Sequence, residues 1–384
     1  MIDNPVRNAR VFVRRDMVPP EPSPLARHGI FGWLGARLFN GPLNILLTLL
    51  CAPLIAAIAV PLVRFLLVDA VWDGASRVDC LAETLGRPVG ACWPFIGAKF
   101  AQLVYGFYPA GEQWRVDLTF ALGALLLVPL MIPRVPYKLL NAVMFFGVFP
   151  VVAFFVLVGG RFGLAHVETR SWGGLLVTLV VAGTGIAVSL PLGILLALGR
   201  RSQLAVVRAL SVIFIEFWRG VPLITILFFA TYMLPLFLPD TWTMDALLRV
   251  LVGTALFASA YMAEVVRGGL QAMPRGQYEG AQSLGLGYWQ MMFLIILPQA
   301  LKLVIPGIVN TFIGLFKDTS LVTIVGIFDF LTTVQVSMND PNWATPVTSY
   351  TGYAFAALFY FVCCYAMALY SQSMERRLAK ADKR

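Results

Sequence analysis

Apolar blocks recur along the chain at about 43–67, 118–132, 139–159, 173–198, 212–238, 247–266, 299–335 and 352–372, with polar connectors between them. A helix needs ~20 apolar residues to cross a bilayer, and most of these blocks reach that length. They mix Gly and Pro without the period-two alternation of a membrane β-strand. The pattern predicts an all-α polytopic membrane protein of about eight transmembrane helices. The seventh block is too long for one span and contains the polar tetrapeptide KDTS at 317–320. It is read as one crossing plus a re-entrant or broken-helix element, because two full spans would put the basic C-terminus outside. Irregular backbone at that depth survives only where protein buries it or a wet cavity borders it.

Composition agrees. The 384 residues are 59% hydrophobic and 13% charged, about half the charge of a soluble chain. The net charge of +9 is spread between apolar blocks and forms no single basic face, so it reads as orientation bias, with no nucleic-acid partner. Arg14, Arg15 and Arg37 precede the first span. Arg134 and Lys138 follow the second, Arg200, Arg201 and Arg208 follow the fourth, and the chain ends in ERRLAKADKR. These segments belong inside, so both termini are expected in the cytoplasm. The loop 69–117, richer in acids than bases, and the loop 336–351 belong outside. Residues 1–42 read as a cytoplasmic segment without a signal peptide. Within it, 25–39 suits an interfacial helix. Residues 43–372 then carry the spans, and 373–384 form a basic cytoplasmic tail.

On this topology residues 267–298 lie on the inner face, and they are not an ordinary connector. Pro274 suits a helix start. Gly285 and Gly287 suit a left-handed stop, giving two to three turns with small residues at Gly280, Ala281 and Ser283. So short and polar a helix is barely stable alone, and docking on another protein would account for it. EGAQSLG, then nine residues, then IILP resembles the EAA loop of ABC-importer permeases. Glu279, Ala281, Gly285, Ile295, Leu297 and Pro298 fit that pattern, and Gly280 departs from it. The stretches at 214–229, 259–287 and 297–326 resemble permeases for polar amino acids. The three extra N-terminal spans are similar to the larger general L-amino-acid permease subunits, most of all the M type.

The resemblance covers about residues 171–372 and implies there a five-helix type I importer core in a bacterial inner membrane, with 43–170 as an extra N-terminal transmembrane region. Glu279, Gly280, Ala281, Gly285 and Pro298 would couple it to a separate ATPase, two copies of which hold the ATP and magnesium. Further implied partners are a related permease subunit, or a second copy of this chain, and a periplasmic amino-acid-binding protein.

Ionisable groups at membrane depth mark pathways or internal pairs. Asp318, beside Lys317, Thr319 and Ser320, can serve a zwitterion's ammonium and carboxylate; a structural ion pair or a snorkelling charge is the alternative. Glu264 and Arg267 share one helical face, either as a headgroup pair or as a gate near the coupling loop. Arg219 and Lys302 read as inner-face anchors. The aromatic stretch WPFIGAKFAQLVYGFYP in the outer loop is either an interfacial helix or a contact for the binding protein. Cys80 and Cys92 share that loop and can form a disulfide if it faces an oxidising compartment, while Cys51, Cys363 and Cys364 fall in apolar spans.

No lysine follows a glycine, so no phosphate-cradling loop is present and this chain is not an enzyme by itself. It binds no cofactor of its own, and no metal spacing occurs; His28 and His166 read as solvated. Two other functions remain open: an ABC permease for another small polar solute, and an ion-coupled secondary amino-acid transporter, which would need paired interrupted helices in both halves.

Overall fold

The computed structural model describes residues 30–132, 134–161, 163–239 and 244–381. It divides into two compact units between Val68 and Asp69. In the first, α1 (Ile30–Arg37) is followed by α2 (Pro42–Val63), which continues as a π-helical turn to Val68. Pro42 starts α2 where its missing N–H costs nothing, and the Thr48 hydroxyl donates to the Leu38 carbonyl at 3.0 Å. Of the expected interfacial segment 25–39, residues 25–29 with His28 lie outside the described residues.

The second unit holds the rest. An outer segment includes α3 (Trp93–Tyr105), followed by two spans, α4 (Trp114–Met131) and α5 (Lys138–Val158). Lys138 Nζ reaches the Pro129 and Leu130 carbonyls at 2.5 and 3.0 Å, supplying donors to the last turn of α4, whose carbonyls have no helical partner. Next come α6 (Gly174–Arg200), α7 (Ala205–Gly220), α8 (Leu223–Phe237) and α9 (Ala246–Ala272). Then follow α10 (Arg275–Ser283), a helix over 288–303 (α11) with a π turn at Met292–Ile296, α12 (Ile305–Asp318), α13 (Phe330–Met338) and α14 (Thr348–Ala381).

The helices α6 and α9 form the centre of the bundle. A Cβ on Gly193 would lie 2.7 Å from Met262 Cγ, so the glycine lets the two backbones close up where no water drives association. Around their outer half, Leu176, Val177 and Val181 cluster with Leu227, Val250 and Val322. Around their inner half, Leu198, Met262 and Val266 cluster with Met273, Ala281, Met291 and Ile296.

Among the described residues, seven helices are long and apolar enough to cross a membrane, and an eighth candidate is a bent pair. The fifth span, expected at 212–238, is that pair: α7 and α8 meet at 101°. Pro222 is the cause. It cannot donate to a helix and pushes Val221 into extended backbone at φ −108°, ψ 132°. The seventh block also divides. The span Ile305–Val325 ends in a 3₁₀ segment from Thr319 that stops at left-handed Gly326, and a separate helix, α13, follows. This is the broken element that KDTS indicated.

Within the second unit, residues before 170 share the packing of the central helices. Tyr108, Val116 and Leu157 pack in the same cluster as Val177 and Val250. The segment 69–106 is built onto the outer ends of α13 and α14: Val71, Phe95, Ile96 and Leu103 pack with Phe330, Val334, Met338 and Trp343. Gly174, at φ +62°, lies so close to α3 that a Cβ there would be 2.2 Å from the Leu103 carbonyl oxygen. Helix α3 is therefore packed on one face into this cap, while Phe100 on it is 56% exposed.

Candidate functional site

Helix α10 begins at Pro274, in extended conformation as N-cap, and ends at Gly285, whose φ of +73° only glycine adopts freely. Gly287, at φ −66°, is not left-handed; it precedes the next helix. One face of α10 is seated on the spans. Tyr278 Oη donates to the Leu270 carbonyl at 3.3 Å, Gln299 Nε2 donates to Gln277 Oε1 at 3.1 Å, and Ala281 is 2% exposed. The opposite face is unoccupied: Arg275, Gly276, Glu279, Gly280 and Ser283 are exposed, and a Cβ on Gly276 or Gly280 would meet nothing within 4 Å. Leu284 at the tip is 77% exposed. Among the expected coupling residues, Ala281 therefore faces the permease core, because its position repeats that of Tyr278 one turn earlier. Pro298 is exposed in the first turn of the helical segment after the π turn.

Beside this loop lies an ion cluster. Glu264 accepts from Arg267 at 2.7 and 3.0 Å and from Arg200 at 2.9 Å, with Arg219 at 3.6 Å. Arg200 also binds Glu216 at 2.8 Å, and the Arg219 guanidinium lies over the Tyr261 ring at 5.7 Å. The Glu264–Arg267 pair is part of a larger cluster, in which three guanidinium groups from α6, α7 and α9 converge on one largely buried carboxylate. Arg219, exposed at the end of α7, reaches Glu264 and the Tyr261 ring.

At the other candidate, Asp318 is half-buried at the end of α12 and Lys317 is exposed; neither side chain makes a hydrogen bond or ion pair among the described residues. Thr319 is 1% exposed and donates to the Phe316 carbonyl at 2.8 Å, while Ser320 donates to the Lys317 carbonyl at 2.9 Å. Both hydroxyl protons are taken by backbone carbonyls, which leaves the Thr319 and Ser320 oxygens as acceptors.

Sequence reasoning missed Asp329. It is fully buried and accepts from Leu331 N at 3.1 Å, Thr332 N at 3.0 Å, Thr332 Oγ1 at 2.5 Å and Tyr360 Oη at 3.1 Å. Two hydroxyls complete the joint: Thr178 accepts from Phe330 N at 2.9 Å, and Thr333 accepts from Gly174 N at 3.0 Å. An Asp three residues after a glycine and just before an apolar run is an N-cap signature that could have located it. Arg249 was also missed; it donates to the Thr231 carbonyl at 2.9 Å, within the π turn of α8.

On the cap, Cys80 and Cys92 are joined in a disulfide with Cα atoms 5.8 Å apart. Lys99 pairs with Asp340, Arg77 N donates to the Asn342 carbonyl at 3.2 Å, and Cys92 N donates to Thr351 Oγ1 at 2.9 Å. The Lys99 ammonium, then the Asn342 backbone N–H, hold the Asp340 carboxyl below the usual carboxylate range. The N–H groups of Ala75 and Ser76 do the same for Asp79.

The model of the binding-protein-dependent transport system inner membrane component matches residues 189–380. The chain belongs to this family. The matched part takes in the inner half of α6 and everything after it, so α10, the ion cluster and Asp318 all lie within what the family shares. The inner membrane amino-acid ABC transporter permease protein YhdY of Escherichia coli (strain K12) is 49% identical over 359 residues, covering 94% of this chain and 96% of its own. BztC of Rhodobacter capsulatus, a glutamate/glutamine/aspartate/asparagine transport system permease protein, is 40% identical over 439 residues, covering 97% and 99%. The probable glutamine ABC transporter permease protein GlnP of Bacillus subtilis is 32% identical over 209 residues, covering 54% of this chain and 92% of its own. An alignment of that length leaves much of this chain without a counterpart in the shorter permease.

Proposed function

We propose that this chain is the transmembrane permease subunit of an ATP-driven importer of polar L-amino acids in a bacterial inner membrane, with both termini cytoplasmic. A soluble binding protein delivers the substrate from outside. Separate ATPase subunits, two per complex, hold ATP and magnesium and drive the cycle, and a related permease, or a second copy of this chain, completes the translocation path. The observation that carries this reading is α10: a short polar helix braced on the spans along one face, with glycines and Glu279 left open along the other. A surface of that kind fits a groove in a motor subunit. The amino-acid class is supported by YhdY and BztC, the relatives that match along nearly the whole chain. The loop 69–117 is outside because its disulfide needs an oxidising compartment.

Asp318 is the substrate's ammonium ligand. It is an unpaired, half-buried carboxylate at the break in a span, where an ionisable group is expensive unless it serves the pathway. Lys317 and the Ser320 oxygen flank it.

The test is reconstitution of the complex in proteoliposomes with labelled amino acids. Uptake that needs ATP and the binding protein supports the proposal. Uptake that an ion gradient drives without the ATPase would overturn it, and stimulation by sugars or other polar solutes alone would overturn the substrate class.

A further inference from the structure

Arg200 and Arg201 are consecutive, at the last helical position and the C-cap of α6. Successive residues on a helix point ~100° apart, and these two reach different neighbours. Arg201 Nη1 donates to the Leu270 carbonyl at 3.0 Å and to Tyr278 Oη at 3.1 Å, and its guanidinium lies over the Tyr278 ring at 5.6 Å. Tyr278 Oη donates to the same Leu270 carbonyl. One cation thus joins the end of α6, the last turn of α9, where carbonyls lack helical partners, and α10. Arg200 runs the other way, to Glu216 on α7 and Glu264 on α9.

We propose that Arg200 and Arg201 are positioning residues that relay movement of α10 into the membrane, Arg201 by clasping α10 to α6 and α9 and Arg200 by fastening that pair to α7. The inference rests on the function proposed above. Besides the clasp, α10 meets α9 through the Met273–Pro274 hinge, the Tyr278–Leu270 bond and the apolar packing of Ala281; the clasp adds a directional, charge-assisted tie to the end of α6. With it, a displacement of Tyr278 moves Leu270 and the end of α6 as one body. Glu216 and Glu264 then carry that displacement to α7, whose 101° junction with α8 converts motion at the inner surface into motion of a membrane helix. Charge-assisted bonds suit such a relay because they are short, directional and stronger than neutral ones.

The experiment measures substrate accumulated per ATP hydrolysed, in proteoliposomes holding the full complex and the loaded binding protein. Arg201→Gln and Arg200→Gln are expected to lower that ratio about tenfold, the size of a typical coupling between sites, while ATP hydrolysis continues. Tyr278→Phe, which keeps the ring but loses the hydroxyl, is expected to lower it ~fivefold, as for one hydrogen bond. Arg208→Gln, on the same surface with an exposed side chain that makes no hydrogen bond or ion pair among the described residues, should match wild type. A merely structural role would reduce uptake and hydrolysis in step and leave the ratio unchanged, and that result overturns the relay. If a glutamine variant fails to assemble, Arg201→Lys and Tyr278→Phe decide, and an unchanged ratio in both is again fatal. A wild-type complex that takes up no amino acid in the presence of ATP would instead sink the proposed function and leave the ratio undefined for every variant.

Discussion

Gly280 and Ala281 are neighbours on α10, yet a larger side chain should fail at each for a different reason. Ala281 is sealed in the inner cluster with Met273, Met291 and Ile296, so Ala281→Leu overpacks the permease, at about 1–3 kcal/mol. Its thermal transition in detergent should fall, whether or not the ATPase is present. Gly280 faces open space, so Gly280→Leu should leave that transition unchanged or slightly raised but abolish co-purification of the ATPase. If the two variants exchange these phenotypes, α10 is seated the other way round. The sequence pattern located α10, its start at Pro274 and its stop at Gly285. It could not tell which small residue faced which way, because on a polar helix of nine residues no apolar stripe marks the buried side. Asp318 was legible for the opposite reason: a charge in an apolar run is conspicuous in any sequence. Asp318→Asn should cut uptake by at least about tenfold, a loss of more than ~1.4 kcal/mol of transition-state stabilisation, with assembly intact. Normal uptake by that variant would remove Asp318 from the path.

At the scale of elements, the expected spans are largely present, and the departures occur where one residue outweighs the hydrophobic count. Residues 212–238 form a mostly apolar run broken by Glu216 and Arg219, and hydropathy merges what Pro222 divides. The cap is a different case. Its helix α3 is aromatic enough to suggest a bilayer interface, but Phe95, Ile96 and Leu103 are buried by α13 and α14, more than 200 residues later in the chain, and pairing over that distance leaves no local signal. The cap is held by the Cys80–Cys92 bond, which closes a loop of sequence separation 12, and by Lys99–Asp340. Cys92→Ser should lower stability by about 3 kcal/mol, read as faster proteolysis of residues 69–92. The ion pair adds a pH dependence. Because Asp340 is held below its ordinary range in the fold, its stabilising contribution is complete at neutral pH and is lost as pH falls through the depressed value. Acid should therefore loosen the cap, seen as faster amide exchange at Arg77 and Cys92, and Asp340→Asn should remove the part of that dependence due to the ion pair, leaving the part due to Asp79.

For the whole second unit, α6 acts as the ruler. Its first residue, Gly174, donates to Thr333 beneath the cap, and the residue after its last, Arg201, clasps α10. Twenty-seven residues of helix separate these ends, ~40 Å at 1.5 Å per residue, more than the ~30 Å of a bilayer's apolar core. The cap and α10 must then lie on opposite sides of the membrane, whichever side each takes. The disulfide bears on the choice, since Cys80 and Cys92 pair stably only where thiols are oxidised, and it supports the proposed arrangement with the cap outside and α10 inside. The arginine bias after α6 points the same way by independent physics. A membrane-impermeant thiol reagent added to intact cells should therefore modify Glu83→Cys on the cap and spare Ser283→Cys on α10, both exposed positions, and should reach the second only after the membrane is opened. Labelling in the reverse order would place α10 where no ATP-hydrolysing partner could reach it, and the disulfide argument, the charge bias and the proposed coupling would fall together.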